Sequence, residues 1–326
     1  MGRARRVFAS VVASAVGLAT LAAVTVGSPI GVAAAAPASG CGRLVAAGST
    51  TMTLGVNGFT RTVVVHVPRR YRRATPTALV LNLHGTGATA RGQERFSGMD
   101  ATADARGFIV AYPQALIANG SGYAWNVPGQ LILGGTPVPA GADSDVRFLT
   151  SLVTSLEARY CVNRHEVYVA GFSGGARMAS QMACDASGTF AATAAVSGLR
   201  RPSPCPTTRS VSVISFHGRA DAVNPYQGNG QPYWTYSVPT AAADWANQDG
   251  CSPTPATTTH ADYTLTSYGA CTGGAAVELY SITAEGHEWP GGPTMPAVIT
   301  TPLGPQSNAV NAHALIWAFF LAHQTR

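Results

Sequence analysis

Gly171-Phe172-Ser173-Gly174-Gly175 constrains this chain more than any other stretch. It follows a short apolar run, Glu166 to Ala170, and precedes a helix-like run, Ala176 to Ala183. A strand, a sharp turn carrying one serine between glycines, and then a helix is the context that makes G-x-S-x-G a nucleophile elbow rather than a string match. The turn is so tight that the residues flanking the serine must lack side chains. In return a hydroxyl is held out at the top of a sheet with a helix N-terminus beneath it. The pentapeptide alone is a weak signal in a chain rich in Gly and Ser; its flanks and its partners give it weight.

The surrounding pattern is that of alternating strands and helices. Arg61 to Val67 alternates and is β-branched, and Ala78 to Leu83 is a second strand ending at His84-Gly85-Thr86-Gly87. Residues 91–106 read as one helix, and Phe108 to Tyr112 returns as a strand closed by Pro113. Residues 114–142, rich in Gly, Pro and Asn, form a long connection of the kind that is often functional. Val146, Leu149, Leu152, Val153 and Leu156 recur at helical spacing, with Asp143, Ser144 and Asp145 supplying N-cap chemistry. Ala192–Val196, Val211–Phe216 and Ala276–Ile282 read as strands, Pro239–Gln248 and Asn308–His323 as helices, and residues 250–274 as an excursion bracketed by cysteines. Short apolar strands buried on both faces imply an α/β architecture, a mainly parallel sheet with helices on both faces. Ligands bind such sheets beyond the carboxyl ends of the strands, where every candidate catalytic residue falls.

The N-terminus has the layout of a secretory signal: Arg3, Arg5 and Arg6, an apolar stretch from Val7 to Val26, and small residues Ala33 to Ala36. Proline at 37 disfavours cutting after Ala36, so residues 1–35 are expected to be removed and residues 36–326 to form one domain. An uncleaved membrane anchor is the alternative reading. The expected address is therefore outside the cell, with no stable membrane association once the signal is cut. Without the signal's three arginines the formal charge falls from +6 to +3. All 21 basic residues are arginine, which excludes lysine Schiff-base chemistry and a phosphate-loop lysine. Apart from Arg69-Arg70-Tyr71-Arg72-Arg73, more simply read as a solvated loop, nothing points to an acidic partner, and nucleic acid is not expected.

Six cysteines in a chain of this kind argue for disulfides, with fifteen possible connectivities. Proximity favours Cys251 with Cys271 and Cys184 with Cys205, leaving Cys41 with Cys161 to pin the N-terminal segment to the core. No C-x-x-C pair occurs, so neither a zinc site nor dithiol redox chemistry is expected.

A serine hydroxyl needs a base, a carboxylate to orient that base, and donors for an oxyanion. In an elbow protein these follow in the order Ser, acid, His. His287 lies in a Gly- and Pro-rich loop after the last strand, Glu285 to Gly292, and is the expected base, with His217 as runner-up. Asp221 sits one tight turn beyond strand 211–216 and is the expected acid; Asp244, Asp249 and Asp262 are alternatives. His217 is then expected to brace the turn carrying Asp221. The amide after the nucleophile belongs to Gly174, and the second oxyanion donor is expected at Thr86, with Gly85 as fallback. Trp125 and Trp289 could floor a pocket for an aromatic or sugar-linked ester, although such rings are as often loop anchors.

These residues carry a resemblance. Leu83-His84-Gly85-Thr86-Gly87, Asp145-Val146-x-Phe148, Tyr160-Cys161-Val162-Asn163, the elbow, His217-Gly218-x-x-Asp221-x-x-Asn224-Pro225-Tyr226 and Gly286-His287-x-Trp289-Pro290-Gly291-Gly292 together resemble the secreted esterases grouped with polyhydroxybutyrate depolymerases and feruloyl esterases. The likeness spans about residues 40–323. It implies an α/β-hydrolase fold, no cofactor, and a triad on Ser173, Asp221 and His287. Many members have cysteine where this chain has Thr86, and asparagine or alanine where it has Gly174. The implied substrates are hydroxycinnamoyl esters of plant polysaccharide, acetylated xylan or aliphatic polyesters. The expectation is a secreted, monomeric serine esterase acting on feruloyl or related polysaccharide esters, with a polyhydroxyalkanoate depolymerase second. A serine peptidase or acyl transferase on the same scaffold, and a non-catalytic envelope protein, are the rivals from other classes.

Overall fold

The computed structural model describes residues 39–296 and 301–325. The expected leader and its cleavage point lie outside them. Twelve strands and six α-helices are formed by the described residues. The strands are β1 Gly48–Val56, β2 Phe59–Val67, β3 Thr77–Leu83, β4 Ile109–Pro113, β5 Ile117–Asn119, β6 Gly122–Ala124, β7 Val162–Phe172, β8 Ala192–Val196, β9 Ser212–Gly218, β10 Ala256–Thr259, β11 Tyr263–Tyr268 and β12 Val277–Ile282. The helices are α1 Ala90–Ser97, α2 Met99–Arg106, α3 Asp145–Arg159, α4 Gly174–Asp185, α5 Val238–Gln248 and α6 Ala312–Ala322.

Ten strands make one sheet in the order β1-β2-β4-β3-β7-β8-β9-β12-β11-β10. The six central strands, β4 through β12, run parallel. Two antiparallel strands extend each edge. Alternation along each strand divides the core in two. Val80, Val110, Ala170, Val196 and Phe216 face one layer with Phe96 of α1, Met99 of α2 and Trp317 of α6. Leu79, Leu81, Ile109, Val167 and Val169 face the other, with Leu149 of α3 and Met182 of α4. α5 joins that second layer through Trp245 beside Val213 and Leu279. The period-two pattern thus places helices on both faces of the sheet.

Several elements differ from the sequence reading. The stretch 91–106 is two helices, because Gly98 takes φ 61° between them and Pro293 fills the space where a Cβ would sit, 2.8 Å away. The cysteine-bracketed excursion holds β10 and β11, a polar antiparallel edge. β1 is joined to β2 by Asn57-Gly58, both at positive φ, the turn that matches strand twist. α6 begins at Ala312 rather than 308. Ser144 alone caps α3, accepting from the Arg147 amide, whereas Asp143 and Asp145 both pair with the buried guanidinium of Arg61.

The cysteines pair as Cys41–Cys161, Cys184–Cys205 and Cys251–Cys271. No helix among the described residues is long and apolar enough to cross a membrane.

Candidate active site

Ser173 stands between β7 and α4 with φ 53° and ψ −116°, a backbone state that β-carbons resist. Strain of this kind persists only where packing enforces it. A Cβ on Gly171 would meet the Gly175 carbonyl oxygen at 2.3 Å, and one on Gly175 the Leu83 carbonyl oxygen at 2.4 Å. Backbone from β3 and from α4 therefore presses on both flanks of the serine. The Ser173 amide donates to the Val196 carbonyl of β8 at 2.8 Å, which ties the elbow to the next strand.

Two loops at the same end of the sheet reach the serine. β9 ends in His217 and Gly218 and turns at once into Asp221; β12 is followed by the loop of His287. The loops are stitched together: the Ala220 amide donates to the Glu285 carbonyl at 3.0 Å, and the His287 amide to the Leu303 carbonyl at 2.6 Å. His287 Nε2 lies 2.8 Å from Ser173 Oγ, and His287 Nδ1 lies 2.8 Å from Asp221 Oδ2. Ser173, Asp221 and His287 are all buried, at 5%, 4% and 2% exposure, so the chain of bonds lies away from competing water. Phe172 packs beside the imidazole, ring centres 4.9 Å apart.

Asp221 is held on both oxygens. Oδ1 accepts from the amides of Val223 and Asn224, at 2.9 and 2.7 Å. Burial alone would raise its carboxyl, but hydrogen bonds from His217 and His287 outweigh it and hold the group well below the usual carboxylate range. His217, the runner-up base, is far from idle: its Nε2 donates to the Asn224 carbonyl at 2.8 Å and lies 3.2 Å from Asp221 Oδ2. Asn224 in turn donates from its side chain to the Ser197 carbonyl at 2.8 Å, beyond β8. Asp249 is buried beside β9, accepting from the Val211 amide, and Asp244 and Asp262 do not enter the cluster.

The loop after β3 closes over the elbow. A Cβ on Gly174 would sit 2.3 Å from Thr86 Oγ1 and 3.2 Å from the Thr86 amide nitrogen, so these two residues touch. Gly85 faces Phe172 and Ser173 instead, a Cβ there lying 2.9 Å from the Phe172 ring. His84 anchors the loop from below. Its Nδ1 donates to the Gly85 carbonyl at 2.8 Å, and its Nε2 accepts from the Ala115 amide at 3.1 Å. Burial pushes this imidazole down to about 4, so it is neutral at physiological pH in the tautomer those two bonds require. The hairpin of β5 and β6, hidden inside the long connection, grips the loop from above through Gly87 N to Tyr123 O at 2.9 Å and Tyr123 N to Ala88 O at 3.0 Å. Close approach there requires Gly122, whose Cβ would lie 2.2 Å from the Gly87 carbonyl oxygen. Nothing in the spacing of the Gly-, Pro- and Asn-rich connection marks this brace.

Trp125 and Trp289 do not floor a pocket. Trp125 is buried in the core and donates from Nε1 to the His84 carbonyl at 2.7 Å. Trp289 is fully buried under α1 and α6. Both are loop anchors, because an indole buries more apolar area than an exposed loop can offer it. Two acids beside the histidine, Glu285 and Glu288, are also fully buried; burial pushes their carboxyls up to about 8 and about 7. No group of three or more His, Cys, Asp or Glu side chains arranged to hold a metal ion occurs among the described residues.

Residues 70–227 match the family model described as Esterase PHB depolymerase. NocK of Nocardia uniformis subsp. tsuyamanensis, provisionally named an esterase, is 32% identical over 274 residues, covering 73% of this chain and 76% of NocK. The chain belongs to this esterase family. Feruloyl esterase B of Piromyces equi is 28% identical over 239 residues, which cover 70% of this chain and 42% of that longer protein. Among solved structures, the acetyl xylan esterase from Aspergillus awamori superposes with a TM-score of 0.54 at 19% identity, over 73% of this chain and 94% of the other. That likeness concerns the fold, which is the α/β-hydrolase fold, and family membership makes the chain a carboxylic ester hydrolase.

Proposed function

We infer that this chain is a secreted serine esterase whose nucleophile is Ser173. The observation that carries the reading is the unbroken run Ser173 Oγ–His287 Nε2 at 2.8 Å and His287 Nδ1–Asp221 Oδ2 at 2.8 Å, buried and poised above a strained elbow. Ser173 Oγ attacks the ester carbonyl as its proton passes to His287 Nε2. The carbonyl electron pair moves onto oxygen, and the amides of Gly174 and Thr86 receive that charge. Asp221, kept ionised by its donors, holds the imidazole in the right tautomer and stabilises the imidazolium. His287 then gives the proton to the leaving alcohol, and a water activated by the same nitrogen releases the acid from the acyl-enzyme. One well-aimed oxyanion donor is worth roughly 3 kcal/mol in such a step.

Secretion is supported by the arginine-led apolar N-terminus and by three disulfides, which persist in oxidising surroundings. The favoured substrates are feruloyl or related esters of plant polysaccharide, in keeping with the likeness to a feruloyl esterase. Polyhydroxyalkanoate is the second candidate, supported by the family description. The test compares p-nitrophenyl acetate, methyl ferulate, acetylated xylan and hydroxybutyrate oligomers for the wild type and Ser173→Ala. Methyl ferulate turned over fastest, with Ser173→Ala inert, is the expected result. Equal rates for the two proteins on every compound would overturn the reading.

A further inference from the structure

The Gly174–Thr86 contact carries more than two amides. A β-carbon on Gly174 would come within 2.3 Å of Thr86 Oγ1, closer than any real side chain tolerates. The volume that a side chain after the nucleophile would fill is thus given to a hydroxyl reaching over from the opposite loop. The same point lies 3.2 Å from the Thr86 amide nitrogen and one bond from the Gly174 α-carbon. Hydroxyl and amide of Thr86 and amide of Gly174 therefore crowd around one small volume beside Ser173. Thr86 is half-buried, and its hydroxyl enters no hydrogen bond among the described residues, whereas the hydroxyl oxygen of nearby Thr89 accepts from the Gly92 amide. A hydroxyl turns freely about its C–O bond and can aim its hydrogen wherever charge develops.

We propose that the Thr86 hydroxyl is a third donor to the oxyanion, making Thr86 a catalytic residue through its side chain as well as its backbone. This rests on Ser173 being the nucleophile. As Ser173 Oγ bonds to the carbonyl carbon and loses its proton to His287, the carbonyl oxygen takes the electron pair. Thr86 Oγ1–H donates to that oxygen without giving up its proton, and the bond relaxes when the carbonyl re-forms. An O–H to an oxyanion is a charge-assisted bond in a water-poor site, stronger than a neutral pair. Gly174 follows from the same arrangement: only glycine leaves room for the hydroxyl.

The experiment compares wild type, Thr86→Val, Thr86→Ser and Ser173→Ala of the purified mature chain on p-nitrophenyl acetate. It also measures inhibition by an alkyl trifluoromethyl ketone, whose adduct with serine carries an oxyanion. Thr86→Val keeps the amide and the shape while deleting the donor. Its kcat is expected to fall roughly 100-fold with KM nearly unchanged, and its ketone affinity to fall by a similar factor. Thr86→Ser restores the donor and recovers most of both. Wild-type kcat and ketone affinity in Thr86→Val overturn the proposal, as does a Thr86→Ser protein as impaired as Thr86→Val. If near-ultraviolet circular dichroism shows Thr86→Val misfolded, Thr86→Ala replaces it against the same serine variant, with the same outcomes. A wild type inactive on the ester, or a Ser173→Ala as active as the wild type, defeats the esterase reading itself. An active wild type, a dead Ser173→Ala and an unimpaired Thr86→Val defeat only the role of the hydroxyl.

Discussion

His217 and His287 converge on a single carboxylate oxygen, Asp221 Oδ2, at 3.2 and 2.8 Å. The carboxylate is thereby fixed between one imidazole that faces the serine and another that is packed against Trp234, ring centres 5.8 Å apart. On the proposed triad, His217 would act through Asp221 as a positioning residue. His217→Gln is expected to lower kcat about tenfold on p-nitrophenyl acetate with little change in KM, whereas Asp221→Asn, which permits the wrong tautomer of His287, lowers it about 10⁴-fold. Steady-state kinetics of the two variants check the ranking; a His217→Gln protein as impaired as Asp221→Asn would mean that His217 does more than position.

His84 makes stability depend on acid. Its imidazole titrates near 4 in the folded chain, below its ordinary 6.5, because burial disfavours the charged form. Between those values the unfolded chain binds the proton and the native chain does not, so stability falls as pH drops from about 6.5 to about 4 and levels below. Protonation also removes the acceptor that holds the Ala115 amide. Denaturant titrations from pH 7 to 4 on the wild type and His84→Asn should show this slope reduced in the variant.

Asp249 has the opposite sign. Burial pushes its carboxyl up to about 7, and Oδ2 has no partner. The native chain then holds a proton that the unfolded chain releases, so stability falls as pH rises from about 4 to about 7 and is lowest above. Asp249→Asn removes the titration. At pH 8 it is expected to be more stable than the wild type by about 4 kcal/mol, three pKa units at about 1.4 kcal/mol each, and the advantage shrinks as the pH is lowered towards 4. Thermal melts at the two pH values decide it.

The three disulfides should not contribute equally. Cys41 and Cys161 are 120 residues apart, against 21 and 20 for the other two pairs. Cross-linking a longer loop removes more freedom from the unfolded chain, about 4.7 kcal/mol for a 100-residue loop against about 3 for a 15-residue one. Replacing Cys41 and Cys161 together by serine is expected to lower Tm more than either other double replacement, as read by calorimetry on the three variants.

How much of this was legible before folding follows from where each signal sits. The elbow, β3, β4, β8, β9 and β12 are short apolar runs between glycines and prolines, so burial on both faces shows directly in composition. β1, β10 and β11 carry no such signal, because they lie at or next to a sheet edge and are partly exposed and polar: β10 is Ala-Thr-Thr-Thr, exposed throughout. Asn57-Gly58 was the one local sign of β1, and it lies between Thr-rich runs that carry little apolar contrast. The helix break at Gly98 was invisible because the group that excludes a β-carbon there, Pro293, lies nearly two hundred residues away. Trp125 and Trp289 look like pocket walls beside Gly and Pro, yet whether a ring faces ligand or core depends on which layer folds over it.

By itself the order of residues determined the class of sheet, the strand ends at which chemistry could occur, and the three residue types that belong there, since each is written in a few adjacent letters. Tertiary structure alone decided that the Thr86 hydroxyl fills the space beside Gly174, and that a hairpin and a neutral His84 clamp the loop between them. Those contacts join segments tens of residues apart, and their geometry is set by close packing between layers, which no local pattern encodes.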